Sequence, residues 1–358
     1  MVRARPLTLA AAVLLAVAAT TSVGCAGRAG PEWERQNPLV PLPEIPVGID
    51  ATFEQLPEPP HPARVRLGRW LFYDARLSAD GTVSCGTCHR PDQGFSQTER
   101  VSTGVHGLRG TRKAPTFVNA AWAPYPHFFW DGRADSLEAQ GLAPIENPVE
   151  MGMTHARMVA VLDAIPAYAP YFREAFGDER VTSERVVKAI ADYERTCLAG
   201  NSAWDRWRRK GDESAVSPQA RQGHALFFGK AACNRCHLGD NFTDGKFHNV
   251  GVGWNPGPGT FADPGRHAVT GLDADRGAFK TPTLRDVSKH APFLHDGSAR
   301  TLREVVDLYN RGGTKNPWLS AKVFPLGLTD AEMDALVAFM QALDSNLPVE
   351  APPTSFPR

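Results

Sequence analysis

The chain has 358 residues, with 39 Lys and Arg balanced by 39 Asp and Glu. That length suits two ordinary domains, and a hydrophobic share of 42% supports packed cores, which excludes a disordered chain. The charge balance excludes a basic nucleic-acid footprint and an acidic tail, so no nucleic-acid partner is expected.

In chain order, residues 1–25 read as an export signal. Arg3 and Arg5 supply the charged start, and Leu7 to Ala19 is an apolar stretch too short to span a bilayer. Ser22-Val23-Gly24-Cys25 then leads into a cysteine as a bacterial lipobox does, although a bulky aliphatic is usual where Ser22 stands. Two readings stay open: a lipid on Cys25 that anchors the protein to a membrane, or plain secretory cleavage nearby. Both place the protein in the periplasm. Residues 26–62 are rich in proline and acids and read as an extended spacer, and residues 346–358 as a Pro-rich tail. With 32 Gly and 30 Pro, the remainder should be helices joined by long irregular loops.

The cysteines are Cys25, Cys85, Cys88, Cys197, Cys233 and Cys236. Disulfides are the first expectation outside the cytoplasm, but the spacing argues otherwise. Cys85-Gly-Thr-Cys88-His89 and Cys233-Asn-Arg-Cys236-His237 are both C-x-x-C-H, the attachment signal of c-type haem. A random match is expected only about 0.003 times in a chain of this composition. The two thiols of each motif add across the vinyl groups and the histidine reaches the iron, so two covalently bound haem c groups are expected. A zinc site and a thioredoxin-like pair are the rivals, and neither motif sits in a βαβ pattern. Cys197 is left over on a helix expected from Ser183 to Leu198; it shares a face with Val187 and Ile190 and reads as a small buried hydrophobe.

The approaches to the two motifs are alike: Gly68-Arg69-Trp70-Leu71-Phe72 and Gly223-His224-Ala225-Leu226-Phe227. A duplicated helix–loop–haem unit gives two cytochrome c-like domains, residues 63–212 and 213–345. Further helices are expected from Thr154 to Ala164 and from Ala167 to Phe176. Capping boxes at Thr301-x-x-Glu304 and Thr329-x-x-Glu332 open two more, the second running to Leu343. Strand signals are few, so the class is mainly α.

Several longer motifs carry a resemblance. Ala114-Pro115-Thr116-Phe117-Val118-Asn119, Phe129-Trp130-Asp131-Gly132-Arg133, and Glu146-Asn147-Pro148-Val149-Glu150-Met151-Gly152 occur in that order. Phe279-Lys280-Thr281-Pro282-Thr283-Leu284-Arg285 and His295-Asp296-Gly297 follow. From about Ala63 to Leu343 the chain resembles the bacterial di-haem cytochrome c peroxidase family, which includes the MauG-type enzymes.

The resemblance implies a peroxidatic haem on His89 and an electron-transfer haem on His237, with Trp130 as the relay between them. A core aromatic is the plainer alternative for Trp130. It also implies that Glu150 and Gln140 are the distal pair above the first haem, with Glu146 as the competing acid. Peroxide must lose a proton to bind ferric iron, and that proton must reach the departing oxygen; a carboxylate with raised pKa can do both while an amide orients the oxygens. His106 has two readings, a ligand to the first iron that leaves on activation or a loop histidine. Tyr309 stands where plain peroxidases place a methionine, as in the MauG-type branch, where tyrosine is the axial ligand; a core tyrosine beside Leu302 and Val305 is the alternative. A phenolate is a hard donor that favours ferric iron. Met333 and Met340 read as core. The family's interdomain calcium is bound by an asparagine and two carbonyls, here Lys113, His290 and Pro292. An ammonium cannot ligate calcium, so Lys113 weighs against it and supplies a charge in its place.

The expected function is reduction of hydrogen peroxide, with electrons entering at the His237 haem from a small donor protein, a cytochrome c or cupredoxin. A MauG-like oxidase acting on a protein substrate and a non-enzymatic di-haem electron carrier are the alternatives.

Overall fold

The computed structural model describes Met1, residues 30–122 and residues 127–358; the export signal and Cys25 lie outside the described residues. The fold is mainly helical. The helices that matter here are α1 (Pro62–Tyr73), α2 (Leu137–Glu146), α3 (His155–Asp163), α4 (Ala169–Phe176), α5 (Ser183–Arg195), α6 (Ala203–Lys210), α7 (Pro218–Phe228), α8 (Leu302–Asn310) and α9 (Asp330–Gln341). Among the described residues there are also two small antiparallel sheets. β1 (Phe247–Asn249) pairs with β4 (Ala278–Lys280), with His248 opposite Phe279, and β2 (Trp254–Asn255) pairs with β3 (Thr260–Phe261). Among the described residues no helix is long and apolar enough to cross a membrane.

Each half is organised by one pair of crossing helices, α1 on α5 and α7 on α9. Both leading helices start on proline, which fixes φ and needs no N–H partner in the first turn. The first core gathers Leu67, Trp70, Phe72, Phe172, Val186 and Ile190; the second gathers Phe227, Phe242, Leu336, Phe339 and Leu343.

Local sequence signals set most helix ends. The Thr154 side chain caps α3 by accepting from Arg157 N at 3.2 Å. Thr329 and Glu332 form the full reciprocal box at the start of α9 (3.3 and 2.9 Å). At α8 only half the box forms: Thr301 Oγ1 accepts from Glu304 N at 3.1 Å, while the Glu304 carboxylate turns to Arg300 N at 2.6 Å. Helix α5 stops at Arg195, short of Leu198, because the Thr196 hydroxyl bonds back to Tyr193 O at 2.7 Å. Cys197 is buried, at 6% exposure.

The expected spacer is the main correction to the sequence reading. Residues 31–62 lie along the body instead of holding it at a distance. Trp33 Nε1 donates to Tyr171 Oη at 2.9 Å, and Asn37 Nδ2 to Arg66 O at 2.8 Å. Further on, Gly48 O accepts from the fully buried Arg285 of the other half at 2.9 Å. The tail behaves similarly: Arg69 on α1 donates to Ala351 O at 2.6 Å and pairs with Glu350, and Arg76 donates to Pro357 O at 3.0 Å. Proline-rich backbone has carbonyls to spare, and arginines of the body supply the missing donors.

Candidate haem-binding sites and the cavity between them

The two C-x-x-C-H motifs form equivalent devices. Each is a single tight turn in which the histidine N–H returns to the first cysteine carbonyl: His89 to Cys85 O and His237 to Cys233 O, both at 2.9 Å. Each histidine then holds Nδ1 against the carbonyl of a downstream phenylalanine in left-handed conformation. His89 meets Phe95 O at 3.0 Å (φ +57°) and His237 meets Phe242 O at 2.9 Å (φ +49°). A proton fixed on Nδ1 leaves the Nε2 lone pair free for a metal. Burial pushes both imidazoles below their ordinary range, which keeps them neutral as ligation requires.

The four thiols of the motifs are unpaired and neutral. Burial pushes Cys85 and Cys88 upward, and raises Cys233 to about 12. Among the described residues, the group spaced to hold a zinc ion is Cys236, Asp244 and His248, whose ligand atoms lie within 4.8 Å of one another. Asp244 is already committed to His248 at 2.9 Å and to Lys322 at 3.1 Å, and Cys233 takes no part. The donor set suits thioether attachment better.

A cavity of about 740 Å³ opens beside the first motif, lined by Cys85, Cys88 and His89 on one side and by Thr243, Lys280 and Thr283 of the other half. Its size, its thiols and the free Nε2 all suit a covalently held macrocycle. Three residues singled out from the sequence reach the same cavity: Gln140 from α2, Glu150 from the loop after it, and Trp130.

Glu150 is half-buried. Asn147 Nδ2 donates to its Oε1 at 2.9 Å, leaving Oε2 for a proton. Burial raises its carboxyl above the usual range, outweighing the Arg133 charge and the Asn147 bond. The competing Glu146 does not line the cavity; its side chain is 53% exposed and accepts from His155 N at 3.4 Å. Trp130 is tied to both halves: Nε1 donates to Lys113 O at 2.8 Å, and its carbonyl accepts from Lys280 N at 2.8 Å. The Asp-Gly-Arg that follows it has a physical reason. Asp131 accepts from Arg112 at 2.6 Å and from Arg133 at 3.1 Å, and Arg112 also pairs with Asp263 at 2.6 Å across the junction.

His106 is not brought to the site. Its side chain is 64% exposed and faces Asp80 at 3.3 Å, so the loop reading is the one that matches this conformation. Tyr309 on α8 is half-buried beside the second motif. Burial, with the Cys236 and Cys233 thiols adding to it, pushes its phenol well above the ordinary range. Met333 and Met340 sit in the second core at 6% and 7% exposure.

The residues at the expected calcium position do not suit a divalent ion. Lys113 is 4% exposed, and its ammonium donates to Gln97 O.

Sequence reasoning missed Glu194, a cavity-lining residue that is 5% exposed, with no hydrogen bond to its carboxyl among the described residues. Burial pushes it up to about 8. A signal was present: position 194 continues the apolar face of Val187, Ile190 and Cys197, so an acid there had to be buried.

The profile described as di-haem cytochrome c peroxidase matches residues 62–214. The methylamine utilization protein MauG of Methylorubrum extorquens is 43% identical over 305 residues, covering 82% of this chain and 84% of that protein. Cytochrome-c peroxidase IdrP1 of Denitromonas iodatirespirans is 36% identical over 362 residues, covering 94% and 93%. Among solved structures, a MauG-like protein associated with microbial copper homeostasis superposes with a TM-score of 0.75 at 30% identity, covering 89% of this chain and 97% of that one.

Proposed function

We propose a division of labour for this chain, which belongs to the di-haem cytochrome c peroxidase family and is a peroxidase-type oxidoreductase with two covalently bound haem c groups. Hydrogen peroxide is reduced in the cavity beside His89, and electrons reach it from the His237 side through Trp130. The bound haems supply the iron that accepts peroxide and the redox equivalents exchanged between the halves.

The observation that carries this reading is that Glu150, Gln140, His89 and Trp130 all line one cavity. With Oε1 held by Asn147, Glu150 takes a proton on Oε2 from incoming peroxide and returns it to the departing oxygen. The Gln140 amide orients the two oxygens. His89 is held in one tautomer by Phe95 O, and Trp130 is held in register by Lys113 O and Lys280 N. Electrons come from a small donor protein, a cytochrome c or cupredoxin, docking on the second half. The protein works in the periplasm. Turnover of peroxide by Glu150→Gln at the unaltered rate would overturn the assignment.

A second reading is favoured by Tyr309. Its phenol lies beside the second motif, and Met333 and Met340 are spent in the core. Phenolate ligation stabilises oxidised iron, so oxidising equivalents could be directed at another protein's side chains, as in a MauG-like oxidase. A long-lived oxidised species after stoichiometric peroxide supports this; rapid decay without a donor, with fast turnover using a reduced cytochrome, opposes it.

A further inference from the structure

Three backbone and side-chain contacts meet at Lys113. Its N–H donates to His295 O at 2.8 Å, which ties it to the C-terminal half. Its carbonyl accepts from Trp130 Nε1 at 2.8 Å. Its ammonium donates to Gln97 O, on a loop that is itself braced by Ser102 Oγ donating to Gln97 Oε1 at 2.7 Å. The side chain is buried, and both Gln97 (1% exposed) and His295 (5%) are buried with it.

The side chain that should offer calcium an oxygen is an ammonium here, and that ammonium already takes the Gln97 carbonyl. The carboxylate acting on the ammonium is that of the exposed Glu99. The ammonium acts in turn on the half-buried His89 and the buried His290, both held below their ordinary range. His290 also leaves Nε2 without a hydrogen bond. A second cation here would meet the buried Lys113 ammonium, and the Asp286 carboxylate that acts on His290 is already paired with Lys289 at 2.9 Å. Desolvation lowers the lysine to about 8, so the ammonium persists at neutral pH.

We propose that the Lys113 ammonium is the resident cation of this junction: it fixes the Gln97 loop against Trp130 and the His295 segment, so the two halves are held in register without calcium. The charge also lies near enough to His89 to raise the reduction potential of the iron that histidine ligates. Lys113 is thus a positioning residue. The consequence for electron relay rests on the reading of Trp130 given above, whereas the cation itself does not.

The test uses the full-length protein carrying both haems. Calcium content, the midpoint potential at the His89 haem and thermal stability are measured before and after chelator treatment, then with added calcium. No stoichiometric calcium and no shift in either quantity are expected. Lys113→Met should move the potential to lower values, and Lys113→Arg should restore it, a pattern that loss of packing alone does not give. One calcium per chain whose removal shifts the potential overturns the proposal, as does a Lys113→Met protein with unchanged potential. If Lys113→Met fails to fold, the chelator measurement on the unaltered protein still decides. The relay reading fails separately, if Trp130→Phe leaves peroxide turnover unchanged.

Discussion

Gly68 and Gly223 hold the same position in the two helix pairs: a Cβ at Gly68 would lie 1.8 Å from Ala189 O, and one at Gly223 would lie 1.8 Å from Ala335 O. The helices cross at backbone contact, and only hydrogen fits between them. Alanine would gain about 1 kcal/mol of helix propensity, but separating packed helices costs about 1–3 kcal/mol or more. Gly68→Ala and Gly223→Ala should therefore both lower the thermal midpoint, measured by circular dichroism or calorimetry on the haem-loaded protein.

Glu150→Gln keeps the shape and the Asn147 contact but cannot take a proton. Peroxide reduction should fall by about 100-fold or more in stopped-flow measurements, while Glu146→Gln stays near the unaltered rate. The pH profile follows from the sign of the shift. A base must be ionised to act, and burial raises the Glu150 pKa. The rate should drop as pH falls through a value above the ordinary carboxylate range, and Glu150→Gln should lose that limb.

Glu194 makes a stability prediction. Its folded pKa is raised to about 8 by burial, first and foremost, with the Arg195 charge opposing. The unfolded carboxyl titrates at about 4.3, so its contribution is fully present below that value and is lost as pH rises through about 8. Unfolding free energy should decline by up to roughly 5 kcal/mol across that window. Denaturant titrations of Glu194→Gln should show a flatter slope; an unchanged slope would contradict the assignment.

Replacing Tyr309 separates its two readings. If the phenolate oxygen is the axial donor of the second haem, Tyr309→Phe changes the spin state of that iron by electron paramagnetic resonance, and Tyr309→Met raises its midpoint potential. A core tyrosine would give unchanged spectra in both.

Much of the chemistry was legible because it is local. A C-x-x-C-H motif carries its cofactor within five residues, and Thr329 with Glu332 carries a helix start within four. The duplicated Gly-x-x-x-Phe approaches declared two like halves, and the contacts at Ala189 and Ala335 explain why glycine recurs. What stayed hidden depends on distant partners. Nothing near His106 in sequence shows that Asp80 draws it outward, and nothing in residues 31–62 shows that Tyr171 and Arg285 hold them. Glu194 falls between these cases: its helical phase was readable, but the cavity it faces is assembled from both halves.

The sockets at Arg69 and Arg76 have a temporal consequence. They sit at the start of the first half, yet Ala351 and Pro357 fill them. Synthesis runs from the first residue onward, so that half stays unlatched until both motifs have emerged. Residues 351–357, among the last to be made, are what completes it.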